Sequence, residues 1–225
     1  HWGGNQWPAG GFGRGRMSPH LLHSPELVQG IIAGGAAALV RSSEDLEDKA
    51  EDGAAIIAQR EIHELDVVVG ITAGGTTPYV HGALQAAKQR GATTIAISCV
   101  PAEQVEIAVD VDIRLLTGPE LLAGSTRLKA GTVTKMALNI LSTGTMVMLG
   151  KVYGNQMVDV AVTNHKLHDR ALRIICNLSD ISREEAAILL EKSGRRVKLA
   201  LLMQKTGLSA AAGQELLQKH RGQLR

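Results

Sequence analysis

Four apolar runs without polar alternation recur through the first half of this chain, and they constrain its fold more than any other feature. They are LVQGIIAGG (Leu27–Gly35), DVVVGI (Asp66–Ile71), TTIAISCV (Thr93–Val100) and VDIRLLTG (Val111–Gly118). A strand that is apolar on consecutive residues is buried on both faces, the condition of a parallel sheet covered by helices. Helical patterns separate the runs. Ala36–Leu65 reads as one helix, or as two broken near Gly53, and Tyr79–Gly91 as a helix closed by its glycine. Strand–helix–strand order at these spacings predicts βαβ units. The expected class is therefore α/β, a three-layer αβα sandwich around a parallel sheet.

Beyond Gly118 the strand signals stop. Thr126–Leu149 has the period of one long helix, and a further helical stretch is expected over Gln156–Leu178. Three short helices follow, over Ser182–Lys192, Arg195–Lys205 and Ser209–Lys219. Ser182 and Ser209 are placed as N-caps, Ser182-Arg-Glu-Glu185 has capping-box spacing, and Gly207 ends the middle helix. The expected organisation is an α/β domain over 25–165 and a small helical module over 166–225, with residues 1–24 standing apart.

Composition removes several function classes. With five aromatic residues in 225, the core must be built from Ala, Val, Ile and Leu. A net charge of +2 gives no electrostatic case for a nucleic-acid or membrane-surface partner. Cys99 and Cys176 lie far apart in apolar stretches without metal-type spacing, as free thiols in a reducing compartment do. No apolar run approaches the ~18–20 residues of a membrane span, and the start lacks a signal-peptide pattern. A cytoplasmic protein with no metal and no cofactor is expected.

Three segments carry chemistry. The loop Thr72-Ala-Gly-Gly-Thr-Thr-Pro78 leaves a strand and opens a helix, which brings backbone N–H groups, hydroxyls and a helix N-terminus together. That is how α/β proteins hold phosphate, and the carboxyl end of a parallel strand is where such folds bind ligands. Thr72, Gly74, Gly75, Thr76 and Thr77 are accordingly the primary binding candidates. In the segment Gly118–Lys135, Ser125 starts a helix with Arg127 and Lys129 in its first turn, where the helix dipole disfavours cations. An anionic ligand, or an acid such as Glu120, would account for them. The third segment, Glu44-Asp-Leu-Glu-Asp48, places Glu44 and Glu47 on one helical face and reads by itself as a solvated surface.

The stretch Gly118–Lys135 carries the signature shared by N-acetylmuramic acid 6-phosphate etherases and the glucokinase regulatory protein. Asp66–Val80, LSTGTMVMLGKVYGNQMVD (Leu141–Asp159) and TNHKL (Thr163–Leu167) resemble the etherases in particular. The resemblance spans about 200 residues. It implies a SIS (sugar isomerase) domain with a five-stranded parallel sheet, a phosphorylated amino sugar as ligand, and a homodimer. It also implies that Glu47 is catalytic and that Glu44 contacts substrate, in register with Ile32-Ala-Gly-Gly35. The implied reaction removes the C2 proton of the open-chain sugar, expels D-lactate from C3 and returns water to the double bond. Two carboxyl groups suffice, one as base and one as acid. The alternatives are a phosphosugar-sensing module without catalysis and an inactive fragment.

Two departures from the family pattern bear on those alternatives. Gly74 stands where etherases commonly have Ser, with Thr72, Thr76 and Thr77 as substitutes, and Arg16 stands where the second catalytic Glu is expected. The family's GAGTSGRL…ECPPTF stretch is absent. Back-translated and shifted by one nucleotide, however, HWGGNQWP becomes TGAGTSGR, and GFGRGRMSPHLL runs on into ECPPTF. Residues 1–24 are therefore expected to be an out-of-frame or disordered segment that packs poorly, with the first strand of the domain missing and the chain inactive or unstable.

Overall fold

A computed structural model describes residues 27–39 and 45–224; residues 1–24 and Glu44 lie outside them. The described chain divides into two compact units, one of residues 30–139 and one of residues 140–224 with 27–29. No described helix is long and apolar enough to cross a membrane.

In the first unit, strands β1 (Val67–Ile71), β2 (Thr93–Ser98) and β3 (Val111–Arg114) form a parallel sheet in that order, with Val67 beside Thr93 and Ile95 beside Val111. The expected α/β class with a parallel sheet is what forms; three parallel strands are present among the described residues, against the five implied by the resemblance. Helix α1 spans Ala50–Gln59 and helix α2 Pro78–Gln89. Leu84 of α2 packs with Ala96 and Ile107, and Ala87 with Ile57 of α1 and Ala92, so small and branched aliphatics make the core. On the opposite sheet face Ile97 is fully buried, whereas Val67, Val69 and Ile71 of β1 are exposed.

Two expectations are corrected here. Leu27–Gly35 is not a strand. The chain turns at residues 33–34, where Gly34 and Gly35 adopt φ of 81° and 59°, and a 3-10 turn follows at Gly35–Leu39. Leu27 and Ile31 are exposed, and the run pairs with no strand among the described residues. Nor is Ala36–Leu65 one helix, or two broken near Gly53: a 3-10 turn at Gly35–Leu39 and a turn at 45–48 precede α1, and Gly53 lies inside it. A Cβ on Gly53 would stand 2.0 Å from the Tyr79 carbonyl oxygen, and one on Gly82 2.0 Å from that of Ala50. The two glycines let α1 and α2 meet backbone to backbone, and packing outweighs the poor helix propensity of glycine.

Helix α3 (Lys129–Met148) starts three residues later than expected, leaving Ser125, Thr126 and Arg127 in the preceding turn; the division between the units falls within it. In the second unit the helix expected over Gln156–Leu178 is replaced by two elements. A hairpin of β4 (Val152–Tyr153) and β5 (Gln156–Met157) turns at Gly154 with φ 60°. Helix α4 (His165–Ser179) then starts at Asn164, whose side chain accepts the Leu167 N–H at 2.9 Å. A strand pair this short has too few residues to show a period in the sequence. The last three helices are α5 (Arg183–Lys192), α6 (Val197–Thr206) and α7 (Ala210–Lys219). Ser182 and Glu185 make the full capping box, Ser209 caps α7, and Gly207 ends α6 at φ 70°. Leu167, Ile175, Leu190 and Leu201 fill the centre of this module.

Candidate functional site

The parallel ladder continues past the strand ends, which fixes the Thr72–Pro78 loop. The Thr72 N–H donates to Ile97 O at 3.0 Å, and the Cys99 N–H to Ala73 O at 2.9 Å. Thr72 is buried and its hydroxyl pairs with that of Thr77 at 2.8 Å, so Thr77 braces the loop instead of capping α2. Gly75 has φ 78°, and a Cβ there would press on Val100 and Val105 at 3.2–3.3 Å. Only glycine fits that turn without displacing them. The His81 ring reaches back from α2 to Gly75 O at 2.7 Å. None of the N–H groups of Gly74, Gly75, Thr76 and Thr77 donates to another backbone group among the described residues. Gly74 and Thr76 are exposed. An unpaired run of N–H groups opening a helix has the donor arrangement suited to an oxyanion.

Glu47 lies in the turn before α1, with its side chain exposed. Its carbonyl accepts the Tyr79 N–H at 3.0 Å, which ties this turn to the first turn of α2, directly after the threonine loop. Burial, and then the charge of Asp52, raise the Tyr79 hydroxyl above its ordinary pKa.

The Gly118–Lys135 segment is organised by Glu120. Its carboxylate accepts the Lys129 N–H at 2.8 Å and the Ala130 N–H at 2.9 Å, closing the N-terminus of α3. Those bonds, the Ala130 N–H first, hold Glu120 below the usual carboxylate range although burial opposes them. Lys129 Nζ turns to the carbonyls of Thr117 and Pro119 at 3.3 and 2.8 Å. An internal carboxylate thus occupies the place considered for an external anion. Ser125 is half-buried and Arg127 exposed. No hydrogen bond or ion pair joins Ser125, Arg127 or Lys129 to residues 72–77 among the described residues.

Two residues that the sequence did not single out knit these parts together. His81 holds Gly75, and its position one helical turn after Thr77 was a usable signal. Cys99 is a free thiol whose N–H bonds Ala73 while its Sγ lies 3.8 Å from Ala130 O and 3.9 Å from Thr134 Oγ1. Burial is the main cause raising the thiol above its ordinary pKa. No periodicity marks such a role. No group of three or more His, Cys, Asp or Glu that could hold a metal ion occurs among the described residues.

Comparison with known proteins places this arrangement. Family models match at residues 16–88, described as the glucokinase regulatory protein N-terminal SIS domain, and at residues 154–198, described as the C-terminal lid domain of glucokinase regulatory protein. The N-acetylmuramic acid 6-phosphate etherase of Microcystis aeruginosa (strain NIES-843 / IAM M-2473) is 96% identical over 207 residues, covering 92% of this chain and 68% of that protein. Those of Rippkaea orientalis (strain PCC 8801 / RF-1) and Gloeothece citriformis (strain PCC 7424) are 75% and 76% identical over the same coverage. By this identity and coverage, the chain belongs to the N-acetylmuramic acid 6-phosphate etherase family.

Proposed function

We propose that this chain cleaves the D-lactyl ether of N-acetylmuramic acid 6-phosphate, giving N-acetylglucosamine 6-phosphate and D-lactate. The observation that carries the reading is the cradle at Gly74–Thr77. Four N–H groups without backbone partners open α2 at the end of a parallel strand, beside the Thr76 and Thr77 hydroxyls. Phosphate binding there would fix the sugar relative to Glu47, whose backbone is bonded to the same helix turn. Glu47 then serves as one of the two acid–base groups. It moves the C2 proton, or it protonates the departing lactate oxygen. Ser125, Arg127 and Lys129 are secondary contacts in this reading, and Glu44 a substrate contact. The phosphosugar part is taken as residues 25–165 and the helical module as 166–225. The chain acts as a cytoplasmic homodimer; the exposed Ile140, Val147 and Met148 in the second unit's part of α3 support a self-association face.

Arg16 at the place of a second carboxylate favours one further reading, a chain that binds the phosphosugar without turning it over. Lactate release and phosphosugar binding, measured on the same preparation, separate the two. Binding and lactate release together support the etherase. Binding without release supports the second reading, and absence of both sinks them. Sedimentation at increasing concentration tests the dimer.

A further inference from the structure

Within residues 140–224, a pocket of about 310 Å³ is lined by charge of nearly one sign. Lys151, Arg196, Lys198 and Arg221 face it, and Asp159 is the only carboxylate in its wall among the described residues, so four cations against one anion leave the lining at +3. Lys198 is 8% exposed. Its Nζ lies 3.6 Å from Asp159 Oδ2, the oxygen that also accepts from Lys151 Nζ at 2.5 Å. One carboxylate oxygen therefore serves two ammonium groups, one of them deeply buried. Burial first, with Lys151 and Arg196 adding to it, pushes the Lys198 ammonium below its ordinary pKa, and Asp159 opposes this. Holding like charges together out of water is costly unless a further anion offsets it.

The rest of the wall suits such an anion. Arg196 is the N-cap of α6 and provides no side-chain cap, so the positive end of that helix opens beside the pocket. Gln214 is also in the wall, and its Oε1 is buried without a hydrogen-bond partner. The C-terminal turn closes one side. Arg221 and Gly222 adopt φ of 52° and 74°, a Cβ on Gly222 would stand 3.7 Å from Lys198 Nζ, and the turn rests on Gly150, where a Cβ would be 3.0 Å from Gln223 Cγ. We propose that this pocket is a second anion site, built only from residues 149–222, which takes a phosphate group either free or as a phosphomonoester.

The test uses the full chain labelled with ¹⁵N and titrated with inorganic phosphate, and separately with N-acetylglucosamine 6-phosphate. Saturable shifts of the Lys151, Lys198 and Gly222 amides are expected with both. Arg196→Gln with Arg221→Gln changes only exposed side chains. It should weaken that response at least tenfold while thermal melting is unchanged, and Thr76→Ala with Thr77→Ala should leave it intact. A response to the sugar phosphate alone would identify the phosphomonoester as the occupant, whereas shifts confined to residues 72–77, no response to either titrant, or an undiminished response in the double arginine variant would each overturn the proposal.

Discussion

Replacing Gly53 by Ala pits helix propensity against packing within one side chain. In an open helix the change gains about 1 kcal/mol. In α1 the new Cβ would lie 2.0 Å from Tyr79 O, whereas ordinary contact begins at 3.4 Å, so α1 and α2 must part by about 1.4 Å (3.4 − 2.0). Both helices are packed through Ile57 and Ala87, which are 2% and 0% exposed, and the Glu47–Tyr79 hydrogen bond sits at the same seam. Overpacking of this kind costs roughly 1–3 kcal/mol, and loosened contacts at the seam add to it, so the net loss should be about 1–2 kcal/mol. Gly144 in α3 is the matched control. Nothing lies within 4 Å of its Cβ position, and Gly144→Ala should stabilise by about 0.5–1 kcal/mol. Urea unfolding followed by circular dichroism ranks the variants, and hydrogen exchange at Ile57 and Ala87 reads the seam itself. If Gly53→Ala proves as stable as Gly144→Ala, the close helix approach is not what selects glycine there.

Three further outcomes follow from the described contacts. Ser182→Ala should cost about 1 kcal/mol, and the double change with Glu185→Ala should cost less than the sum of the singles, because the capping box is one unit; thermal melts of the four proteins measure this. Thr77→Val leaves the buried Thr72 hydroxyl without its partner and should destabilise by about 1–3 kcal/mol, an effect that denaturant midpoints would report and that Thr77→Ser should reverse. Asp110 accepts the Thr94 N–H at 2.8 Å and its hydroxyl at 2.7 Å, which holds its carboxyl below the ordinary range. Its contribution is therefore complete above the unfolded-state pKa and is lost as pH falls through the lower folded value. Wild type should exceed Asp110→Asn at neutral pH and converge with it in acid; parallel curves would refute the assignment.

The sequence by itself determined the local and periodic features of this protein. The apolar runs marked β1, β2 and β3 as strands of a parallel sheet, although one face of β1 is left exposed among the described residues. Ser182, Ser209 and Gly207 marked helix ends because capping involves only a few neighbouring residues. The Thr72–Pro78 loop was legible for the same reason. Tertiary structure alone decided the rest. Gly53 reads as a breaker until α2 arrives against it, and Leu27–Gly35 reads as a strand although no partner edge meets it. That Glu120 closes α3, that Cys99 spans Ala73 and Ala130, and that Lys151 and Lys198 share Asp159 are juxtapositions no local pattern encodes. Periodicity and capping are energies of neighbouring residues, whereas helix approach, strand pairing and charge clustering are energies of contacts that exist only once the chain has folded.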